Sequence, residues 1–166
     1  MDYIFITKII VTALCAYTFY TDFTRFKIYN WVMLALIILY PIYALLAVPT
    51  PEWYYGLALL VGLFFLGYPL FAFGLLGGGD VKIIAVFGLW IGSHDGFFSL
   101  AKFFLYFALI GGAFTILLLI LRGILHDPKK GESKLPLIFQ RRQPVAYGIP
   151  IIASFLILVW HLKVLG

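Results

Sequence analysis

Phe97–Leu121, FFSLAKFFLYFALIGGAFTILLLIL, decides what kind of protein this is. It holds one charged residue, Lys102, and exceeds the roughly 20 residues that a helix needs to cross bilayer hydrocarbon. Such a run is built for lipid. The whole chain agrees: of 166 residues, 64% are hydrophobic and 11% charged, and the mean hydropathy is +1.06. Soluble domains carry about a quarter charged residues, and a water-soluble core of this length could not hide so much apolar surface.

Working outward, five more apolar runs appear: Ile4–Tyr20, Trp31–Val48, Tyr54–Leu76, Val81–Gly92 and Val145–Leu165. The expectation is an all-α, polytopic membrane protein with six transmembrane helices in a single domain over residues 1–166. The fourth run is short, about 18 Å as a helix. It is either a short helix in a thinned or funnelled region, or it borrows residues from the glycine-rich turn before it. Trp31, Trp53, Tyr54, Trp90 and Trp160 fall near run ends, where interfacial anchors sit. Asp2 stands where a signal peptide would be basic, so the first run is expected to be a permanent span. The long polar connection 122–144 is expected to be a cytoplasmic loop, with Leu135–Phe139 a candidate to lie on the membrane surface.

The net charge of +5 invites a nucleic-acid partner, but the charges sit in short gaps between apolar runs. That distribution sets membrane orientation and contacts anionic lipid instead. Arg25, Lys27, Lys82, Arg122, Lys129, Lys130, Lys134, Arg141 and Arg142 all lie in the first, third and fifth connections, leaving only Lys8, Lys102 and Lys163 elsewhere. The positive-inside rule places those three connections in the cytoplasm and both termini outside. Cys15 is the single cysteine, so no intrachain disulfide or CxxC site is possible, and it reads as a small packing residue.

This topology puts two carboxylates on one face of the membrane. Asp22 closes the first run in Thr21-Asp22-Phe23-Thr24-Arg25-Phe26-Lys27-Ile28-Tyr29-Asn30, and Asp80 opens the fourth in Gly77-Gly78-Gly79-Asp80-Val81-Lys82. Two carboxylates that meet can share a proton, because like charges a few ångströms apart cannot both ionise cheaply. One then activates a water while the other polarises or protonates a scissile carbonyl. Taken singly, each has a plainer reading. Asp80 could cap the helix it precedes, Asp22 could be an interfacial charge, and Arg25 and Lys27 could simply set topology. Gly77, Gly78 and Gly79 offer positive φ and close backbone approach, which an ordinary turn also uses. Lys82 and Arg25 could bias the carboxylates toward ionisation, and Lys82 could equally reach to lipid headgroups.

The combination resembles the GxGD membrane aspartyl proteases, and within them the type IV prepilin peptidase family. That family has an Asp…basic…Ile-Pro-Asn stretch, matched by Asp22…Arg25…Lys27-Ile28-Tyr29-Asn30 with tyrosine in place of proline. Its second aspartate closes the GxGD motif, matched by Gly77-Gly78-Gly79-Asp80. Pro144-Val145-Ala146-Tyr147-Gly148-Ile149-Pro150 is similar to its Pro-Tyr-Gly segment, with two residues between Pro144 and Tyr147. The chain lacks the N-terminal paired-cysteine region of the longer, methylating members, so the likeness is to the protease-only form of Flp or tight-adherence pili. The resemblance implies Asp22 and Asp80 as the catalytic pair, with Gly77, Gly79, Arg25, Lys27, Asn30 and Lys82 as supporting motif residues and no cofactor or metal. It also implies a prepilin-like substrate with a basic leader and an apolar helix, cut at the cytoplasmic membrane. Two other readings stand beside it: a small ion- or proton-coupled transporter subunit, and a non-catalytic pilus assembly factor.

Other chemistry has less support. His94 and Asp95, His126 and His161 are assigned to different membrane faces, and no HExxH or Gly-x-Ser-x-Gly setting occurs. Asp127 and Glu132 in the long loop could attract a basic leader, although solvated loop charges are the plainer reading.

Overall fold

The computed structural model describes residues 2–48, 52–93, 96–125, 137–139 and 145–161. Within them the protein is all-helical: α1 (Asp2–Arg25), α2 (Asn30–Ala47), α3 (Trp53–Ala72), α4 (Gly78–Ile91), α5 (Gly96–Leu125) and α6 (Gly148–His161), with a single 3-10 turn, Leu137–Phe139, between the last two. Each apolar run became a helix, since a chain segment in lipid must satisfy its own backbone hydrogen bonds.

Four of the six, α1, α2, α3 and α5, are long and apolar enough to cross a membrane. The expected six crossings are thus matched in length by four helices. Helices α4 and α6 have 14 residues each, about 21 Å apiece. The described part of α6 stops at His161, and the remainder of the expected run lies outside the described residues. Helix α4 does take residues from the glycine turn, beginning at Gly78 rather than Val81.

Helix α4 is the axis of the bundle. From Ile83 to Ile91 every residue is buried, and α2, α3, α5 and α6 all pack on it. Trp90, expected near an interface, is instead fully buried against Tyr40 and Tyr43. Trp31, Tyr54 and Trp160 are exposed at helix ends, as anchors would be. A helix apolar on all sides can be buried on all sides, and that is why the shortest run lies at the centre. Cys15 is buried in the same core. The outer faces of α1, α3 and α5 expose Phe5, Ile9, Phe65, Leu66, Leu109 and Leu117, a surface suited to acyl chains rather than water.

Small residues draw α3 onto α4, as they do wherever helices associate in lipid. A Cβ at Gly92 would stand 2.8 Å from the Gly56 Cα, and one at Gly67 would stand 2.6 Å from Val81 Cγ1. At this end the Tyr40 hydroxyl donates to the Trp53 carbonyl at 3.4 Å and pairs with Ser93 Oγ. Those bonds tie α2, α3 and the end of α4 together.

The first and third connections lie together at the opposite end. The turn Leu137–Phe139 belongs there, and it corrects the expectation of a surface-lying segment. Ile138 is 1% exposed and joins Leu118, Ala146 and Ile149 in a second apolar cluster. Its carbonyl accepts a 2.9 Å bond from Arg122 Nε. The rest of the long loop, with Asp127 and Glu132, lies outside the described residues, as do His94, Asp95 and His126.

Candidate active site

Asp22 belongs to the last turn of α1, which runs five residues beyond the expected end at Tyr20. The helix stops at Phe26, whose φ of 50° is left-handed and whose N–H donates to the Asp22 carbonyl at 3.0 Å. Glycine normally holds such a terminating position. A phenylalanine there costs about 1–2 kcal/mol, offset by packing of its ring on the second apolar cluster. The left-handed stop, four residues past Asp22, fixes where α1 ends.

Its carboxylate is 5% exposed and faces the start of α6. The backbone amides of Gly148 and Ile149 are directed at it, while Oδ2 has no hydrogen-bond partner among the described residues. Free amides at a helix N-terminus attract a carboxylate. Only glycine permits the approach: a Cβ at Gly148 would lie 2.6 Å from Asp22 Oδ2.

Asp80 occupies the first turn of α4, and its Oδ2 accepts a 3.3 Å bond from the Gly77 N–H. The capping role considered from the sequence is altered: Asp80 is the third residue of α4 rather than the one before it, and it reaches back to the N-cap amide of Gly77. That role coexists with a second one, because Asp80 also lines a cavity of ≈ 630 Å³ together with Asp22. Phe26, Lys27, Ile28, Asn30 and Tyr147 contribute to the same walls, as do the glycines 77–79. Asp80 lies ahead of the apolar run Val81–Gly92, and its carboxyl is pushed up to about 7, first by burial and then by the neighbouring Asp22 charge. The two aspartates are electrostatic neighbours as well as neighbours in space.

The glycines matter for clearance rather than for φ. None of Gly77, Gly78 and Gly79 has positive φ; that conformation falls on Gly74, at φ 72°. A Cβ at Gly77 would meet Asp80 Oδ2 at 2.9 Å, and one at Gly79 would meet the Ile28 Cβ at 3.2 Å. Ile28 also reaches Gly148, at 3.1 Å from Cδ1 to a Cβ built there. One side chain of the first connection is thereby wedged between the starts of α4 and α6.

Among the basic candidates, Lys27 lines the cavity. Arg25 does not line it, but donates from Nη1 to the hydroxyl of Tyr29, which does, at 3.3 Å. Lys82 is exposed and donates from Nζ to Asn30 Oδ1 at 3.1 Å, joining the starts of α4 and α2. The sequence reading did not assign roles to Ile28, Tyr147, Gly148 and Ile149. For the last three the signal was the Tyr147-Gly148 pair at the head of the last apolar run.

A comparison with family models matches residues 9–121 to the type IV leader peptidase family. No curated protein and no solved structure matches the chain.

Proposed function

The chain belongs to the type IV leader peptidase family, and on that premise we propose that it is a multi-pass aspartyl endopeptidase removing the basic leader from prepilin-like precursors. Cutting takes place at the cytoplasmic face of the inner membrane, with both termini outside. One observation carries the proposal: Asp22 and Asp80, from the end of α1 and the start of α4, wall a single cavity at the basic end of the bundle. The supporting arrangement extends past the matched residues to Gly148 on α6.

The pair titrates as a unit and holds one proton near neutral pH. Two amides face Asp22 and one bonds Asp80, which biases the proton toward Asp80. Asp22 then takes a proton from a water, whose oxygen attacks the scissile carbonyl, while Asp80 protonates the carbonyl oxygen. Collapse of the diol breaks the C–N bond as Asp22 passes the water's proton to the leaving nitrogen and a diol hydroxyl returns its proton to Asp80. This chemistry requires no cofactor. Both carboxylates lie at helix ends rather than deep within a span, a placement that suits peptide cleavage better than an ion pathway.

The test is co-expression with a type IV prepilin. Asp22→Asn and Asp80→Asn are each expected to abolish leader removal while the protein stays in the membrane. Robust cleavage by either variant would overturn the assignment. Ion flux in vesicles that is lost with the same substitutions, without precursor cleavage, would favour a transporter.

A further inference from the structure

A peptide cut at Asp22 and Asp80 whose apolar helix continues into the bilayer has to leave the cavity sideways. Directly beneath the cavity the way is blocked by the buried core of α4. The flanks differ. Helices α2, α1, α6 and α5 pack neighbour on neighbour in that order, closing most of the perimeter. Helix α3 packs chiefly on α4 and meets α2 at the far end through the Tyr40–Trp53 bond, so the larger openings lie on its two sides; a smaller groove of ≈ 390 Å³ along α5 meets the cavity at Tyr147.

Each opening is an apolar groove that touches the carboxylate cavity. On the α5 side the groove measures ≈ 520 Å³ and meets the cavity at Leu76, and every side chain lining it is apolar. On the α2 side it measures ≈ 740 Å³ and meets the cavity at Asn30. Leu34, Val61 and Phe64 form its walls, with Ala85 and Val86 as its floor. Lys82 also lines it, and its ammonium donates to Asn30 Oδ1 at the junction.

That polar junction separates the two. Residues just after a scissile bond are extended, so their N–H and C=O groups lack helical partners, and exposing such groups to hydrocarbon is strongly unfavourable. Asn30 and Lys82 offer an acceptor and donors at the point where peptide backbone would pass from cavity to lipid. The α5 side offers none.

We propose that the α2–α3 groove receives the apolar helix of the precursor, with Asn30 and Lys82 as its polar gate. This rests on the peptidase reading and adds to it the side from which substrate enters. Lipid acyl chains compete for any such groove, and the experiment separates the two occupants. A photo-crosslinking amino acid is placed at Leu34, at Val61 or, facing the α5-side groove, at Phe104, in an Asp22→Asn background that retains uncut type IV prepilin. Adducts with the precursor's apolar segment are expected from Leu34 and Val61, at least tenfold above those from Phe104. In the active enzyme Val61→Trp is expected to raise KM several-fold with kcat little changed, while Phe104→Trp leaves both as they were.

Adducts from Phe104 alone, lipid adducts alone, or an unaltered KM in Val61→Trp would overturn the groove. Wild-type cleavage measured alongside keeps the two ideas apart. Cleavage without groove adducts removes only the groove, whereas a precursor left intact by the wild type removes the peptidase reading and the groove with it.

Discussion

At the residue scale the site depends on what is missing as much as on the carboxylates. Gly148 lets the α6 amides reach Asp22, and a methyl there would sit 2.6 Å from Oδ2. Gly148→Ala is therefore expected to lower kcat at least tenfold in the precursor-cleavage assay while membrane insertion is retained. Asp80 gives a pH signature. Its folded-state pKa, about 7, lies above the ordinary 3.8, so folding favours the neutral form. The associated stability is complete below about pH 4 and is lost as pH rises through 7. Asp80→Asn is expected to have a melting-temperature advantage in detergent that grows from pH 4 to 7 and then levels off. A constant advantage across that range would contradict the burial argument. Cleavage by the wild type is expected to decline above about pH 7, as the shared proton is lost.

At the element scale the informative contact is between α3 and α4. Their crossing was not legible in the sequence, because Gly56, Gly67 and Gly92 are scattered singly and no spacing rule pairs them. In the fold Gly92 meets the Gly56 backbone, and Gly67 admits Val81. Gly92→Val is expected to destabilise the bundle by about 1–3 kcal/mol, the range for overpacking, read as a lower melting temperature in detergent. Activity should fall with it, because α4 also carries Asp80. The ends of elements were the other surprise. α1 overran its apolar pattern to Arg25, since Thr21 and Asp22 are buried by α1's neighbours rather than solvated, and α4 extended back over Gly78, Gly79 and Asp80. Polar residues at the edge of an apolar run look like loop until tertiary burial holds them in the helix.

At the scale of the whole molecule, orientation can be tested with the protein's own chemistry. Cys15 is 1% exposed, so it gives a quiet background for thiol labelling. Leu75→Cys is expected to react with a membrane-impermeant reagent only from the cytoplasmic side, and Glu52→Cys only from the outside. The reverse pattern would invert the proposed topology. By itself the sequence determined the helical class and the membrane as solvent, and it singled out Asp22 and Asp80 as candidates, for a physical reason. Apolar run length and the flanking lysines and arginines are local properties that lipid reads directly. Only the tertiary structure decided that the shortest run is the central axis and that α6 delivers its amides to Asp22. It also decided that Lys82 answers Asn30, and that the perimeter opens beside α3. Those are contacts between residues far apart in the chain, set by which side chains leave room for one another, and no local pattern encodes that.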